Sequence, residues 1–236
     1  MKLPGISERM KKNYEDIWKL RLPMRMPIIL RVDGRAFHTL TKKMNRPFDD
    51  LFINRMIKTA AYLCTEIQGA QVAYVQSDEI SILIHTYKRL GSRAWFDNEL
   101  QKIVSISAAI ASSFFSIEYN KPIQFDSRAF VIPEDEVCNY FIWRQQDWAR
   151  NSIMMLARSF YTHEECQGKK GADLQDMCFQ KGSNWNNLPI HLKRGSCVIQ
   201  DVFGRWCADM RIPIFTKNRE YIEQYLECEI ENEITV

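Results

Sequence analysis

Short apolar runs separated by polar turns set the pattern of the first half of the chain. Pro27-Ile28-Ile29-Leu30, Val72-Ala73-Tyr74-Val75 and Ile80-Ser81-Ile82-Leu83-Ile84 each predict a buried strand. A fourth strand is predicted from Gln124 to Ile132, stopped by Pro133. After the first run, Pro47 opens a predicted helix whose first turn carries Asp49 and Asp50, favourable at the positive end of the helix dipole. Phe48, Phe52, Met56, Ala60, Cys64 and Ile67 line one face of it, and Gly69 ends it. A second amphipathic helix is predicted from about Trp95 to Ile117, with Phe96, Leu100, Ile103, Val104, Ala111 and Phe114 on one side. The order is β-α-β-β-α-β, an α+β fold with the ferredoxin-like split unit. Right-handed crossovers then place the first strand beside the hairpin strand bearing Asp78.

Beyond Pro133 the pattern turns helical. Glu134, Asp135 and Glu136 begin a long predicted helix running toward Tyr161, and a shorter one spans about Ala172 to Gln180. Trp185 to Pro189 and Lys193-Arg194-Gly195-Ser196 read as loops. A hairpin is expected from Cys197 to Met210, turning at Phe203-Gly204-Arg205, and an exposed closing helix from Glu220 to Glu231. No internal repeat or linker interrupts the chain. Residues 1–236 therefore read as one domain, with a core of about 27–132 and a helical and hairpin extension of about 133–236.

Polar residues at the strand ends give the pattern its chemistry. Arg31-Val32-Asp33-Gly34-Arg35 follows the first run, and Gln76-Ser77-Asp78-Glu79 lies between the second and third. Asp33, Asp78 and Glu79 thus meet at one sheet edge, where like charges repel unless a cation sits between them. Divalent metal suits such a place, Mg²⁺ taking one or two carboxylates plus phosphate oxygens. Asp33 and Asp78, with the Gly34 carbonyl, are the expected ligands of two ions serving an in-line phosphoryl transfer. Glu79 suits a supporting partner of a basic residue. In Gly34-Arg35-Ala36-Phe37-His38, consecutive N–H groups offer a triphosphate cradle, with Arg31, Arg35, Lys42, Lys43, Arg46 and Lys102 as cations. His38 fits either a general base or a loop-packing role. Trp143-Arg144 and Trp185 combine aromatic and basic character suited to RNA bases, although core packing is the expectation for Trp143.

Composition narrows the classes without choosing among them. At 236 residues, 46% hydrophobic and 26% charged, the chain has an ordinary globular composition. A net charge of +3 permits a nucleic-acid partner without arguing for one. No apolar stretch is expected to span a bilayer, and Met1-Lys2-Leu3-Pro4-Gly5 lacks a signal-peptide apolar region, so the expected location is cytoplasmic with no membrane partner. Seven cysteines form no Cys-x-x-Cys pair, and His163, Cys166 and Cys178 match no common zinc spacing. Reduced thiols without a structural metal are expected.

Taken together, Arg31 to His38, Gln76 to Glu79, Phe125-Asp126-Ser127-Arg128, Trp143-Arg144-Gln145, Trp185-Asn186-Asn187-Leu188-Pro189 and Lys193-Arg194-Gly195 resemble the histidine-tRNA guanylyltransferase family, from about Arg31 to Ser196. The resemblance implies a palm-type enzyme that adds nucleotides to the 5′ end of tRNA, with Mg²⁺, ATP, GTP or other NTPs, and a homotetramer. It implies activation of a 5′-monophosphate by adenylylation, attack by the 3′-hydroxyl of an incoming nucleotide with loss of AMP, and removal of pyrophosphate. By position, Asp33, Gly34 and Asp78 would hold metal, and Ser77 and Glu79 would support the site. Arg31, Arg35, Ala36, Phe37, His38, Arg46, Asp49 and Lys102 would contact nucleotide. Arg150, Asn151, Lys193 and Arg194 would be the RNA contacts. Two departures stand out. Ala149-Arg150-Asn151-Ser152 replaces the His-Ile-Asn-Asn stretch of eukaryotic-type members, and Asp97-Asn98-Glu99 is acidic where some members are basic. Both resemble the family's "like-protein" branch, which repairs 5′-truncated tRNA by templated addition. Addition of an extra guanylate to histidine tRNA is the alternative activity. A nucleotide cyclase and a non-catalytic RNA-binding module are the rivals from other classes.

Overall fold

A computed structural model describes residues 4–87 and 91–227, with Lys43 described by its backbone alone. The first part runs α1 (Ile6–Met10), β1 (Ile28–Gly34), α2 (Phe37–Leu40), α3 (Asp50–Glu66), β2 (Ala70–Gln76) and β3 (Glu79–Ile84). It continues through α4 (Leu100–Tyr119), β4 (Phe125–Val131) and α5 (Glu134–Ala157). There follow α6 (His163–Cys166), α7 (Gly171–Gln180), α8 (Ile190–Arg194), β5 (Ser196–Gln200), β6 (Trp206–Asp209) and α9 (Glu220–Glu223). The sheet order is β4-β1-β3-β2-β5-β6, antiparallel throughout. Its first four strands have the expected split-unit order, and β5 adds the later hairpin along β2.

Alternation along β1 sorts the chain onto two faces. Ile28, Leu30 and Val32 pack with Met56, Ala60, Leu63, Ile80, Ile82 and Phe115 under α3 and α4. Ile29 packs with Tyr74, Leu83, Val137, Phe141 and Phe215 under α5 and the C-terminal segment. Each such aliphatic or aromatic side chain contributes roughly 1.5–3 kcal/mol by leaving water. Arg31 and Asp33 share the α5 face with Ile29, because side chains two apart on a strand point the same way.

Several boundaries differ from the sequence reading. β1 continues to Gly34, so Asp33 lies within the strand, paired on both sides. The β2–β3 turn is Ser77-Asp78 alone, and Glu79 already belongs to β3. α3 starts at Asp50 rather than Pro47, because Asp49 is its N-cap: Oδ1 accepts from the Phe52 N–H at 2.8 Å. Phe48 therefore precedes the helix. Trp95 begins a separate 3₁₀ turn, and positive φ at Phe96, Asp97 and Asn98 keeps it out of α4. Lys193 and Arg194 are the end of α8 rather than loop; five residues are too few to show helical periodicity. Near the end, α9 covers only Glu220–Glu223, and Ile222 is buried beside Phe215, so this segment is not merely exposed; residues 228–231 of that expected helix lie outside the described residues.

α4 also corrects an expectation: Leu100–Tyr119 is long and apolar enough to cross a membrane by length and composition. Its placement gives the reason. Ile103, Ser107, Ala111 and Phe115 are buried. A seam of serine hydroxyls ties it to the β4 side: Ser107 Oγ to Ser127 Oγ at 2.8 Å, Phe125 N–H to Ser112 Oγ at 2.9 Å and Ile123 N–H to Ser116 Oγ at 2.8 Å.

Candidate active site

The register of the central strands brings acids level with one another. Asp33 of β1 lies directly opposite Glu79 of β3 on one side and Asp126 of β4 on the other. Directly opposed residues on one face have Cβ atoms about 5 Å apart. Asp78 is joined to the same point by the Gly34 N–H, which donates to its carbonyl at 3.0 Å. The turn that presents Asp78 uses a left-handed backbone at Ser77 (φ 47°), uncommon for a residue with a side chain.

The acids then divide into two kinds. Glu79 is buried and clamped by Arg144 of α5, whose Nε and Nη2 donate to its two carboxylate oxygens at 2.7 Å each. Gln76 and Ser81 donate to Glu79 as well. Arg144 also meets Asp147, which in turn binds Arg150 and Asn151. Glu79 is thus the partner of a basic residue, as its position at the strand start suggested. Asp33 and Asp78 make no ion pair among the described residues. Burial pushes the Asp33 carboxyl above its usual range, and the charges of Asp78, Glu79 and Asp126 push it further, against a weaker pull from Arg31. Burial likewise raises Asp78, opposed by hydrogen bonds from its own N–H and from Ser77.

Two half-buried carboxylates raised in this way are suited to a divalent cation, which would relieve both at once. No group of three or more His, Cys, Asp or Glu side chains that could hold a metal exists among the described residues. The donor set present is two carboxylates and the neighbouring Gly34 carbonyl, which fits Mg²⁺, an ion that keeps water and phosphate oxygens in its remaining positions.

Other expected site residues separate by location. His38, Lys42, Arg46, Asp49 and Ser77 line a cavity of about 540 Å³, together with Trp148, Arg158 and His163. Asp49 is already engaged there as the α3 cap and as acceptor for the Asn45 N–H. Lys43 was a further cation candidate, and its side chain lies outside the described residues. Arg35 turns away, pairing by backbone and side chain with Gln124 at 2.8 and 2.6 Å. Ala36 (φ 58°) supplies the left-handed cap of α2. Phe37 is buried in an aromatic cluster with Phe52, Phe115 and Phe125, so only its backbone can meet a ligand. A Cβ on Gly34 would overlap the Phe37 ring. Gly34→Ala is therefore expected to cost about 1–3 kcal/mol by overpacking, read by urea denaturation; an unchanged midpoint would show that Phe37 is free to swing aside.

Lys102 is a correction. α4 runs antiparallel to β4, with its C-terminal end at the Phe125 edge where the acids lie. Lys102, in its first turn, is at the opposite end and pairs with Glu99 at 3.5 Å. Arg194 is an internal staple, donating to the Ile212 carbonyl and accepting from the Tyr74 hydroxyl through its own carbonyl. Lys193 holds the Asn186 carbonyl and sits 5.7 Å from the Trp185 ring. Cys166 and Cys178 pack as small apolar groups against Ile153 and Leu156. Trp143 is 48% exposed, contrary to the expectation of core packing. Asp147 is a site member that the sequence reading missed, and Asp126 and Arg144, although quoted in its motifs, were not assigned to the acid cluster. Asp126 carried a signal, an acid in an alternating strand; the reach of Arg144 to Glu79, 65 residues away, had none.

Similarity to known proteins agrees with this geometry. Residues 7–133 match the family model described as tRNAHis guanylyltransferase. A probable tRNA(His) guanylyltransferase of Dictyostelium discoideum is 28% identical over 73% of this chain and 75% of its own length. The tRNA(His) guanylyltransferase of Schizosaccharomyces pombe is 28% identical over 80% and 78%. Among solved structures, a bacterial tRNA(His) guanylyltransferase (Thg1)-like protein in complex with ATP superposes with a TM-score of 0.90, at 46% identity over 94% of this chain and 99% of that one. The matched segment holds the whole acid-bearing palm, from β1 through β4, and covers more than half of the sequence; the chain belongs to the tRNA(His) guanylyltransferase family.

Proposed function

We propose that this chain is a Mg²⁺-dependent nucleotidyltransferase that restores missing 5′ nucleotides of tRNA, using the opposite strand of the acceptor stem as template. The observation that carries this reading is the pair Asp33 and Asp78, two raised carboxylates with no ion pair among the described residues, at a palm edge beside a cavity of about 540 Å³. The structural relatives, bacterial Thg1-like proteins in complex with ATP and with GTP, support a nucleoside triphosphate as the substrate here. Their closeness, with Ala149 and Arg150 in place of a histidine-bearing stretch, favours templated repair over addition of a single guanylate to histidine tRNA.

In this reading Mg²⁺, held by Asp33, Asp78 and the Gly34 carbonyl, would activate the attacking oxygen and neutralise charge on the leaving phosphate. The Arg144–Glu79 pair holds the first residue of β3, and with it the turn that aims Asp78. His38, Lys42 and Arg46 line the cavity where the nucleotide would sit, and Lys42 and Arg46 would bind its phosphates. Assembly as a homotetramer belongs to the same proposal.

The test is extension of a 5′-monophosphorylated tRNA lacking its first nucleotide, with ATP, the four NTPs and Mg²⁺. The expected product is one nucleotide longer and complementary to the opposing base. Equal extension when that base is changed would reject templating, and no extension would reject the activity. A cyclic product from NTP alone would favour the cyclase instead.

A further inference from the structure

Beside α5 the palm face carries a strip of side chains that the transfer chemistry does not use. Trp143 is 48% exposed on the side of α5 away from its buried stripe Val137, Phe141, Trp148 and Ser152. Trp18 and Phe179 are exposed as well, at 68% each, so exposure alone does not mark Trp143 out. Its firm placement does. The Arg144 guanidinium lies 4.5 Å from the ring centroid and is itself locked by Glu79 and Asp147. The Tyr140 ring meets the indole edge-on at 5.8 Å, with its hydroxyl 2.9 Å from Ser81 Oγ.

Tyr140 also packs against Phe130 of β4 at 5.9 Å, which sets this part of α5 over β3, β1 and β4. There Arg31 of β1 stands directly between Ser81 and Arg128 in the register. Two guanidinium side chains opposed on one face repel, and an anion between them would reverse that cost. Among the described residues Arg128 reaches only the exposed Asp126, at 3.1 Å, and it remains half in water. Arg31 Nε is buried with no hydrogen-bond partner among the described residues, which leaves it short of an acceptor. Arg31 is two residues from Asp33 on the same strand face, about 7 Å of strand rise.

We propose that Trp143, Arg31 and Arg128 form a docking site for the 5′-terminal nucleotide of the RNA substrate, the indole stacking its base and the arginines holding its phosphate beside Asp33. An aromatic platform with adjacent cations is how proteins hold unpaired nucleotides without reading their sequence, and a repair enzyme must accept any terminal base. The site rests on the tRNA-repair reading, and it shifts Arg31 from nucleotide to RNA.

The experiment measures binding of a 5′-truncated, 5′-monophosphorylated tRNA by fluorescence anisotropy, without NTP, for the wild type and for Trp143→Ala, Trp143→Phe and Arg128→Gln. Titration with ATP runs in parallel. Trp143→Ala is expected to weaken tRNA binding about ten-fold and Trp143→Phe to restore most of it. Arg128→Gln should lower the salt slope by about one. ATP binding should not change. Trp143→Ala binding within two-fold of wild type would overturn the site. So would a loss that Phe does not rescue, or one that falls on ATP instead of tRNA. A wild type that binds no tRNA would instead strike the repair reading, and this site with it.

Discussion

Asp33→Asn and Asp78→Asn are each expected to remove nucleotidyl transfer, by about a thousand-fold or more, while making the protein more resistant to heat at neutral pH. The second half follows from the direction of the carboxyl shifts. Both groups are raised in the folded protein, first by burial and, for Asp33, then by neighbouring acids. A carboxyl raised on folding favours the folded state below its unfolded value of 3.8, and that contribution is lost as pH rises through the folded value. At pH 7 each ionised group therefore opposes folding, and asparagine removes the opposition. The gain in thermal midpoint should shrink as pH falls toward 4 and vanish once both wild-type groups are protonated. Mg²⁺ provides a second readout, because a ligand of the folded state stabilises it. It should raise the midpoint of the wild type and have little effect on either variant. An Asp33→Asn enzyme that retains activity would sink the metal assignment, and a midpoint that falls at pH 7 would show that the carboxylate has a favourable partner.

The strands that carry these residues were legible because buried strands announce themselves. Ile28 to Leu30, Val72 to Val75 and Ile80 to Ile84 are apolar runs too short for helices, with acids where they stop. Their order followed from the handedness of crossovers. The pairing of β5 with β2 did not follow, since a local hairpin pattern says nothing about which edge it joins. Lys102 was misplaced for a similar reason: residue type gives a helix charge but not the end of the sheet it occupies. Trp143 could have been placed by periodicity, lying two residues from Phe141 and so on the opposite side of α5. The burial of Phe37 was hidden because an aromatic in a glycine-led loop looks like a ligand contact until its neighbours Phe52, Phe115 and Phe125 are known. Only tertiary structure reveals the Arg144–Glu79 pair.

That pair carries the largest expected effect on stability. Arg144→Met would leave the Glu79 carboxylate buried with only Gln76 and Ser81 as donors, at 3.3 and 3.2 Å. Removing one partner of a buried ion pair costs about 3–5 kcal/mol, because the other charge stays out of water without compensation. For a chain of this size that is a fall of roughly 10 °C in thermal midpoint. Replacing both members, Arg144→Met with Glu79→Leu, removes the orphaned charge and should recover most of the loss, since apolar groups of similar volume commonly match a buried pair. Asp147 keeps Arg150 at 3.0 Å in either variant, so it adds little to the difference. Urea denaturation of the wild type, the single variant and the double variant separates the possibilities. If the double variant is as unstable as the single one, the clamp contributes through packing or geometry rather than through compensation of charge. Activity of the double variant then tests a distinct point. Glu79 lies directly opposite Asp33 and adjacent to Asp78, and its charge helps to raise both. With that charge gone and the fold restored, Asp33 and Asp78 would ionise more readily, and less Mg²⁺ stabilisation per site would be expected because less repulsion remains for the ion to relieve.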